Sequence, residues 1–170
     1  MSEPLIIRTP TDTDRPAILH VLRDAFRREE EAKLVELLWR DDAMKVEVVA
    51  EESGEIIGYC GFSPITTEPV REGVLFGLAP LAVLNDRQGK GVGKALAMKG
   101  LEACRKQNAA MVVVLGEPDY YSKFGFKPAC EFNAKWAALD AGPAFQLIDF
   151  EGVTDGSPLL IHYHPAFSEV

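Results

Sequence analysis

The sequence predicts a mixed α/β domain, and three observations lead to that prediction. An apolar run, Val74 to Leu84, is followed by a helical segment, Gly91 to Gln107, and by a second apolar run, Ala110 to Leu115. Two strands joined by a helix are almost always parallel neighbours with a right-handed crossover. Lys45 to Glu51 and Glu55 to Ile65 read as the two strands of a hairpin. Apolar residues at helical spacing fill much of the amino-terminal part.

The amino-terminal elements follow from local signals. Leu5 to Arg8 is predicted as a short first strand. Thr11 to Asp14 then supply helix-capping side chains, and Pro16 suits a first helical turn. Two helices are expected next, and their apolar stripes are Ile18, Val21, Leu22, Ala25 and Phe26 in the first and Leu34, Val35, Leu37 and Leu38 in the second. The second helix begins with acidic residues, which complement the positive end of its dipole.

The later elements are marked by proline, glycine and asparagine. Pro80 lies inside the apolar run from Val74 and implies a bulge or a broken ladder there. Asn108 closes the long helix, because asparagine tolerates the left-handed cap position. The remaining predicted elements are a short helix around Asp119 to Phe124 that ends at Gly125, and strands at Ala144 to Phe150 and Pro158 to His164 with an Asp155-Gly156 turn between them.

Length and composition indicate an ordinary globular protein. The 170 residues, 47% hydrophobic and 26% charged, suit a single domain over residues 1–170 and exclude disordered or collagen-like chains. The longest runs without charged residues are thirteen residues, too short for a membrane span, which takes about 20. Met1 to Pro4 lack the basic flank and apolar core of a signal peptide. Three unpaired cysteines fit a reduced, cytoplasmic protein.

The net charge of −8 is unevenly distributed along the chain. Residues 1–83 carry −7 and residues 128–170 carry −5, whereas residues 84–127 carry +4. An acidic protein with one small basic segment is not expected to bind nucleic acid. The segment suits a compact anion better than a polymer.

A glycine-rich loop follows the first apolar strand of the strand–helix–strand unit. Arg87 to Lys94 combine glycines with three basic side chains immediately before a helix, which are the ingredients for holding phosphate. A glycine-rich turn with solvated lysines is the alternative, since such turns are weak motifs. The loop is neither a Walker loop nor a dinucleotide fingerprint, because Gln88 and Ala95 stand where a Walker loop needs Gly and Ser or Thr. Gly116 to Tyr121 follow the second strand, and the two segments are expected at one edge of the sheet.

Two motifs resemble the GNAT N-acetyltransferase superfamily. Gln88-Gly89-Lys90-Gly91-Val92-Gly93, just after Pro80 to Leu84, matches that family's Arg/Gln-x-x-Gly-x-Gly/Ala motif for acetyl-CoA. Tyr121 to Phe126 is similar to its Tyr-x-x-x-Gly-Phe signature. The resemblance covers residues 5–132, whereas residues 133–170 match only loosely. It implies a largely antiparallel sheet flanked by helices, with a splayed parallel pair of central strands.

The resemblance also implies how acetyl-CoA would bind as co-substrate. The backbone groups of Leu81, Ala82 and Val83 would pair with pantetheine in the manner of an added strand. The pyrophosphate would lie on the loop and the helix start, that is on Gln88, Gly89, Lys90, Gly91, Val92, Gly93 and Lys94. The reaction needs no metal.

The resemblance implies that the catalytic residues lie in Gly116 to Tyr121, the segment after the second strand. An amine attacks the thioester directly in a ternary complex, and Tyr121 is the general acid for the departing thiolate. Glu117 is the candidate base, with an exposed loop carboxylate as its alternative, and Asp119 is expected to cap the short helix. Many relatives have Asn near the end of the fifth strand, where this chain has Gly116-Glu117-Pro118. The resemblance therefore does not say which group supports the cofactor arm there.

Other chemically capable residues carry weaker predictions. His162 and His164 share one strand face, but no third metal ligand is apparent, and a surface role is favoured. Cys104 lies on the helix face of Leu96 and Gly100 and is expected in the core. Core packing is favoured for Trp39 and Trp136, with the acceptor wall as the alternative.

The predicted function is acetyl transfer to a primary amine of a small molecule or peptide. Two alternatives are a non-catalytic acyl-CoA-binding module of the same fold and an unrelated nucleotide-binding domain that uses Gly89 to Gly93. Neither nucleic acid nor membrane is expected as a partner. The C-terminal strands could contribute to a homodimer.

Overall fold

The computed structural model describes residues 4–170 and contains four helices and ten strands in that range. The helices are α1 (Arg15–Phe26), α2 (Glu30–Arg40), α3 (Val92–Lys106) and the short α4 (Pro118–Tyr121). The strands are β1 (Leu5–Arg8), β2 (Val46–Glu52), β3 (Glu55–Pro64), β4 (Thr66–Glu68), β5 (Val74–Val83), β6 (Ala109–Leu115), β7 (Lys127–Pro128), β8 (Ala134–Trp136), β9 (Phe145–Asp149) and β10 (Leu159–His162). Residues 1–3 lie outside the described range. They belong to the segment, Met1 to Pro4, that was predicted to lack the features of a signal peptide. No described helix has the length and apolar character of a transmembrane span.

The described chain divides into two compact units. The first comprises the chain up to Phe62 together with Pro80–Ala103 and Pro165–Val170. The second comprises Ser63–Ala79 and Cys104–His164. Strand β5 passes from the second unit into the first between Ala79 and Pro80.

The first unit contains the predicted hairpin. β2 and β3 pair antiparallel from Val46↔Phe62 to Glu52↔Glu55, and the turn between them uses Gly54 at φ +78°. β1 adds antiparallel to the free edge of β2. The last part of β5 lies on the other side of β3, where the N–H of Leu84 donates to the carbonyl of Ile57 at 2.9 Å.

Helix α3 packs on the sheet of the first unit along a stripe of small and apolar residues. Its buried positions include Val92, Leu96, Ala97 and Gly100, which recur at the spacing of one helical face. Gly100 is required by space, because a Cβ there would stand 2.4 Å from Cε1 of Phe62. The predicted core stripes of α1 and α2 are likewise buried at Ile18, Val21, Leu22, Leu34, Val35 and Leu38.

The second unit contains the predicted parallel pair. β5 and β6 run parallel from Val74↔Ala109 to Leu78↔Val114, and β5 continues to Val83 beyond that last pair. β6 pairs antiparallel with β9, which pairs antiparallel with β7. The pairing of β1, β2, β3, β5, β6, β9 and β7 is therefore mostly antiparallel around the parallel pair of β5 and β6, with helices beside it, as the sequence predicted. β5 runs through Pro80 as one strand, and its ladder with β6 ends at Leu78, two residues before the proline at which the sequence predicted a bulge or a broken ladder.

A separate three-stranded sheet also belongs to the second unit, and the sequence did not predict it. Its order is β4-β10-β8, with β4 antiparallel and β8 parallel to β10. The two predicted carboxyl-terminal strands are present as β9 and β10, but they lie in different sheets. Gly156 adopts a left-handed conformation as expected of a turn, yet that turn does not join partner strands.

Candidate active site

The last part of β5 offers an edge of unpaired strand in the first unit. The carbonyl oxygen of Ala82 lies 3.3 Å from the place of a Gly58 Cβ, so Ala82 faces β3, as Leu84 does. Because successive peptide groups of a strand point to opposite edges, Leu81 and Val83 direct their backbone groups away from β3. Of the three residues predicted to pair with pantetheine, two therefore face the edge away from β3.

The loop after β5 is held in shape by its own side chains. Gln88 donates from Nε2 to the carbonyl of Val83 at 3.0 Å and to Oδ1 of Asn85 at 3.2 Å. The N–H of Asn85 donates to Oδ2 of Asp24 at 2.8 Å. The side chain of Gln88 thus braces the loop whose backbone amides were predicted to hold the pyrophosphate.

The glycines of the loop leave its backbone open. Gly89 and Gly91 have φ values of +76° and +84°, and no atom lies within 4 Å of an added Cβ at either position. Helix α3 begins at Val92, and the N–H of Ala95 makes the helical bond to Gly91 at 3.1 Å. The N–H groups before Ala95 precede that bond and have no intrahelical acceptor, which makes the helix start suited to an anion.

The basic side chains of this loop differ in how they are paired. Arg87 forms ion pairs with Glu52 at 3.2 Å and with Asp86 at 3.0 Å, so its charge is shared with two carboxylates. Lys90 and Lys94 are exposed, and neither has an ion-pair partner among residues 4–170. The charge available to a ligand therefore comes from these two lysines rather than from all three basic residues.

Tyr121 lies in the second unit, in the turn that follows β6. Its ring covers Gly116, where an added Cβ would stand 2.4 Å from the ring carbon Cε2. Phe126 meets the ring edge-on at a centroid distance of 5.8 Å. Gly116 is itself fixed, because its N–H donates to Ala144 at 2.9 Å and its carbonyl accepts from Gln146 at 3.2 Å. The position of the phenol is thus set by contacts on two sides.

Comparison with known families shows which family contains this loop, helix and tyrosine segment. The family described as "Acetyltransferase (GNAT) family" matches residues 15–126, which include the loop, α3 and Tyr121. This chain belongs to the GNAT family of acetyltransferases.

Related GNAT proteins support that membership along nearly the whole chain. The uncharacterized N-acetyltransferase YhbS of Escherichia coli K12 is 33% identical over 168 residues, which is 96% of this chain and 99% of that protein. The crystal structure of Escherichia coli YhbS in complex with CoA has a TM-score of 0.90 at 32% identity and covers 99% of this chain and 94% of that one. A GNAT acetyltransferase of Brucella melitensis in complex with acetyl-CoA has a TM-score of 0.82 at 32% identity, covering 97% and 99%.

Glu117 and Asp119, close to Tyr121 in the sequence, differ in their position relative to α4. Glu117 is exposed, and its carbonyl accepts the N–H groups of Tyr120 and Tyr121, both at 3.1 Å, at the start of α4. Asp119 lies inside α4, and the helix has no side-chain cap. The prediction that Asp119 caps the helix was therefore wrong, because the backbone of Glu117 occupies the cap position.

Tyr163 is a neighbour of Tyr121 that the sequence did not indicate. Its partly buried ring covers Gly77, where an added Cβ would stand 2.6 Å from Cε1. Burial raises the pKa of the Tyr163 phenol well above its ordinary value, and the proximity of Tyr121 adds to this shift. A glycine in an apolar strand was the available signal, since it marks a close approach by another group.

His162, Cys104 and Trp136 are the remaining residues that the sequence singled out as chemically capable. His162 Nε2 lies 3.5 Å from Oε2 of Glu68, and the described residues contain no group of three or more His, Cys, Asp or Glu suited to a metal ion. Cys104 is buried, as predicted, which raises the pKa of its thiol to about 12. Trp136 packs edge-on against Tyr163 at a centroid distance of 6.0 Å.

Proposed function

We propose that this GNAT protein is an acetyl-CoA-dependent N-acetyltransferase that acts on a primary amine of a small molecule or peptide. The observation that carries the proposal is the open glycine loop between β5 and α3. Gly89 and Gly91 expose the backbone there, and two exposed lysines stand beside the helix start. Relatives of similar fold were crystallised with CoA and with acetyl-CoA.

The loop and the strand end fit the two polar parts of such a co-substrate. Backbone N–H groups of Gln88 to Gly93 would bind the pyrophosphate, with Lys90 and Lys94 adding positive charge. The backbone groups of Leu81 and the N–H of Val83, whose carbonyl already accepts from Gln88, would bind the pantetheine amides in the manner of an added strand. Acetyl-CoA supplies an acyl thioester, which an uncharged amine can attack without a metal.

Tyr121 is our proposed general acid. A phenol with an ordinary pKa of about 10 is protonated at neutral pH, so it can donate a proton to the departing thiolate. Along the chain, Tyr121 follows β6, which pairs parallel with β5 from Val74 to Leu78. The packing of the Tyr121 ring against Gly116 restricts where its hydroxyl can lie.

Proton balance requires that the acceptor amine lose a proton before or during the attack. Glu117, exposed beside Tyr121, is the proposed acceptor of that proton, and bulk water serves the same purpose for an accessible amine. Removal of this carboxylate should therefore affect turnover less than removal of the phenol.

The proposal is tested by thiol release from acetyl-CoA across a panel of primary amines, including polyamines, amino acid derivatives and lysine peptides. Tyr121→Phe should lower turnover roughly 100-fold while leaving the affinity for acetyl-CoA within about twofold. Tyr120→Phe is the matched control, because it removes a neighbouring phenol outside the proposed machinery.

Each alternative function has its own outcome in the same experiment. Binding of acetyl-CoA without turnover of any amine would establish a non-catalytic acyl-CoA-binding module. Stabilisation by ATP or NAD but not by acetyl-CoA would contradict the proposal and favour an unrelated nucleotide-binding domain.

We assign the activity to the cytoplasm as part of this proposal. Cys60, Cys104 and Cys130 form no disulfide in the described residues, which suits a reducing compartment. Cell fractionation with an antibody to the native protein tests the assignment, and recovery in an oxidising compartment would contradict it.

A further inference from the structure

A half-buried carboxylate in the first unit is held in place by two neutral donors. Oε2 of Glu47, on β2, accepts the indole N–H of Trp39 at 2.8 Å and the hydroxyl of Tyr59 at 2.7 Å. Tyr59 is fully buried, and burial, followed by the charge of Glu47, raises the pKa of its phenol well above the ordinary value. The phenol therefore stays protonated and keeps donating to Glu47.

Glu47 lacks the cation that its neighbours on the same hairpin have. Glu51 pairs with Arg8 and Glu52 with Arg87, both at 3.2 Å, whereas within residues 4–170 no Lys, Arg or His lies within 4.0 Å of the Glu47 carboxylate. The cation beside this group, Arg15, lies over the Trp39 ring at 4.6 Å from its centroid. A partly buried carboxylate without a counter-ion is incompletely compensated for its lost hydration.

The strand register puts this carboxylate level with the proposed acyl site. Glu47 is opposite Gly61 on β3. Leu84 donates to Ile57, and Ile65 donates to Leu75, so β3 and β5 run antiparallel and the level of Gly61 falls near Pro80. Glu47 thus lies two strands from the start of the segment that would hold pantetheine.

The carboxylate also lies on the face of these strands that α3 does not cover. Side chains of α3 fill the space at Gly58, whereas the Tyr59 hydroxyl lies 2.8 Å and the Met44 sulfur 2.7 Å from the place of a Gly61 Cβ. Side chains of successive strand residues alternate between faces, and Glu47 shares the face of Tyr59. The proposed phosphate loop leads into α3, so the two charged sites belong to opposite faces.

We propose that Glu47 binds an ammonium group of the acceptor other than the amine that attacks the thioester, and that Trp39 and Tyr59 position its carboxylate. The inference rests on the proposed function, since it assigns the acceptor side of the same reaction. It specifies the acceptor class as a cationic amine that approaches from the face opposite α3. The partly exposed side chains of Trp39 and Met44 provide apolar contact for the carbon atoms next to the ammonium.

The decisive variant is Glu47→Gln. The amide oxygen can still accept from Trp39 and Tyr59, so the variant removes the charge and keeps the shape. At saturating acetyl-CoA we expect the KM of an accepted cationic amine to rise roughly tenfold or more, with the KM of acetyl-CoA changed less than about twofold. Glu72→Gln, at an exposed glutamate of the second unit, is the matched control and should leave both constants unchanged.

A second variant keeps the test decisive if Glu47→Gln does not fold. Trp39→Phe retains an aromatic ring and removes one donor, so the carboxylate keeps its charge and loses part of its fixation. We expect the KM of the amine to rise about threefold, with acetyl-CoA unaffected. An unchanged amine KM in the folded variants, or an equal change in both constants, would overturn the assignment.

Failure of this inference can be told apart from failure of the proposed function. If the wild-type protein turns over no amine, binding of 1,5-diaminopentane to the CoA complex is measured by NMR titration. Binding that is lost in Glu47→Gln supports the carboxylate as the ammonium site even without turnover. Equal binding by both proteins, or no binding to wild type, overturns it.

Discussion

Asp14 connects the first strand to the first helix through one carboxylate. Its oxygens bond to Arg8 at 2.8 and 3.0 Å, and Oδ2 also accepts the N–H of Thr11 at 2.7 Å. The bond to Arg8, followed by that to Thr11, lowers the pKa of Asp14 from 3.8 to about 2. The carboxylate is therefore both an ion-pair partner of Arg8 and part of the capping box of the 3-10 turn Asp12–Asp14.

A pH dependence of stability follows from that shift. The pKa is lower in the folded state, so the stabilisation is complete above about pH 4 and is lost as pH falls towards 2. Arg8 is 31% exposed, which limits the contribution to about 1 kcal/mol. Asp14→Asn should lose this amount at neutral pH, measured by urea unfolding, with the difference from wild type vanishing in acid. A constant difference at all pH values would contradict the linkage.

The three cysteines should differ sharply in reactivity. Cys130 is exposed, whereas Cys60 and Cys104 are buried, and the pKa of Cys104 is raised to about 12. A disulfide reagent in mildly alkaline buffer should therefore modify one thiol in the native protein and three after denaturation. Cys130→Ser should abolish the native reaction. Fast modification of a second thiol would contradict the burial of the other two.

Among the helices, strands and turns, some local sequence signals predicted the observed structure and others did not. Turn glycines, the left-handed end of α3 and apolar strands were predictable, because Gly54, Asn108 and Gly125 act through their own backbone conformations. The predicted side-chain caps of α1 and α4 are not formed. The short strands β4 and β8 were not, because three residues carry no measurable alternation. The bonds of Glu47 to Trp39 and Tyr59 depend on packing between α2 and the hairpin, which no local pattern contains.

The contact between α3 and β3 gives a prediction for packing. In Gly100→Ala the new methyl would stand 2.4 Å from the buried ring of Phe62, so one of the two must move. Overpacking of a core costs about 1–3 kcal/mol, which exceeds the gain of up to about 1 kcal/mol in helix propensity. We expect net destabilisation of about 1 kcal/mol by urea unfolding.

Phe62→Leu is the control for that packing prediction. It removes the ring atoms that the methyl meets, so the double variant should be more stable than the two separate losses imply. Strictly additive losses would show that the methyl is accommodated elsewhere.

For the molecule as a whole, ligand binding should appear as added thermal stability. At 100 times its Kd, a ligand that binds only the folded state adds about 2.7 kcal/mol. For a chain of this length, that corresponds to a rise in Tm of roughly 5–10 °C. We expect this rise with CoA in a thermal scan. Lys90→Ala combined with Lys94→Ala should reduce it, and no rise with wild-type protein would contradict the proposed site.

The overall charge makes the same binding sensitive to salt. A net charge of −8 coexists with Lys90 and Lys94, which have no ion-pair partner in the part of the chain that the structure describes. Attraction of the anion is therefore local, and long-range repulsion opposes it. This division was visible in the sequence as one basic segment within an acidic chain. The sequence did not show that Arg87 forms ion pairs with Glu52 and Asp86, which reduces the positive charge that it can offer to a ligand.

The seat of Tyr121 on Gly116 has a consequence for how this protein can vary. Gly116 has no unusual backbone angle, and its need for glycine comes only from the aromatic ring above it. In a saturation mutagenesis screen for activity, position 116 should tolerate almost nothing, although glycine takes no part in the chemistry. A residue without a side chain would thus score like a catalytic one, and its fitness profile would follow that of its tyrosine neighbour.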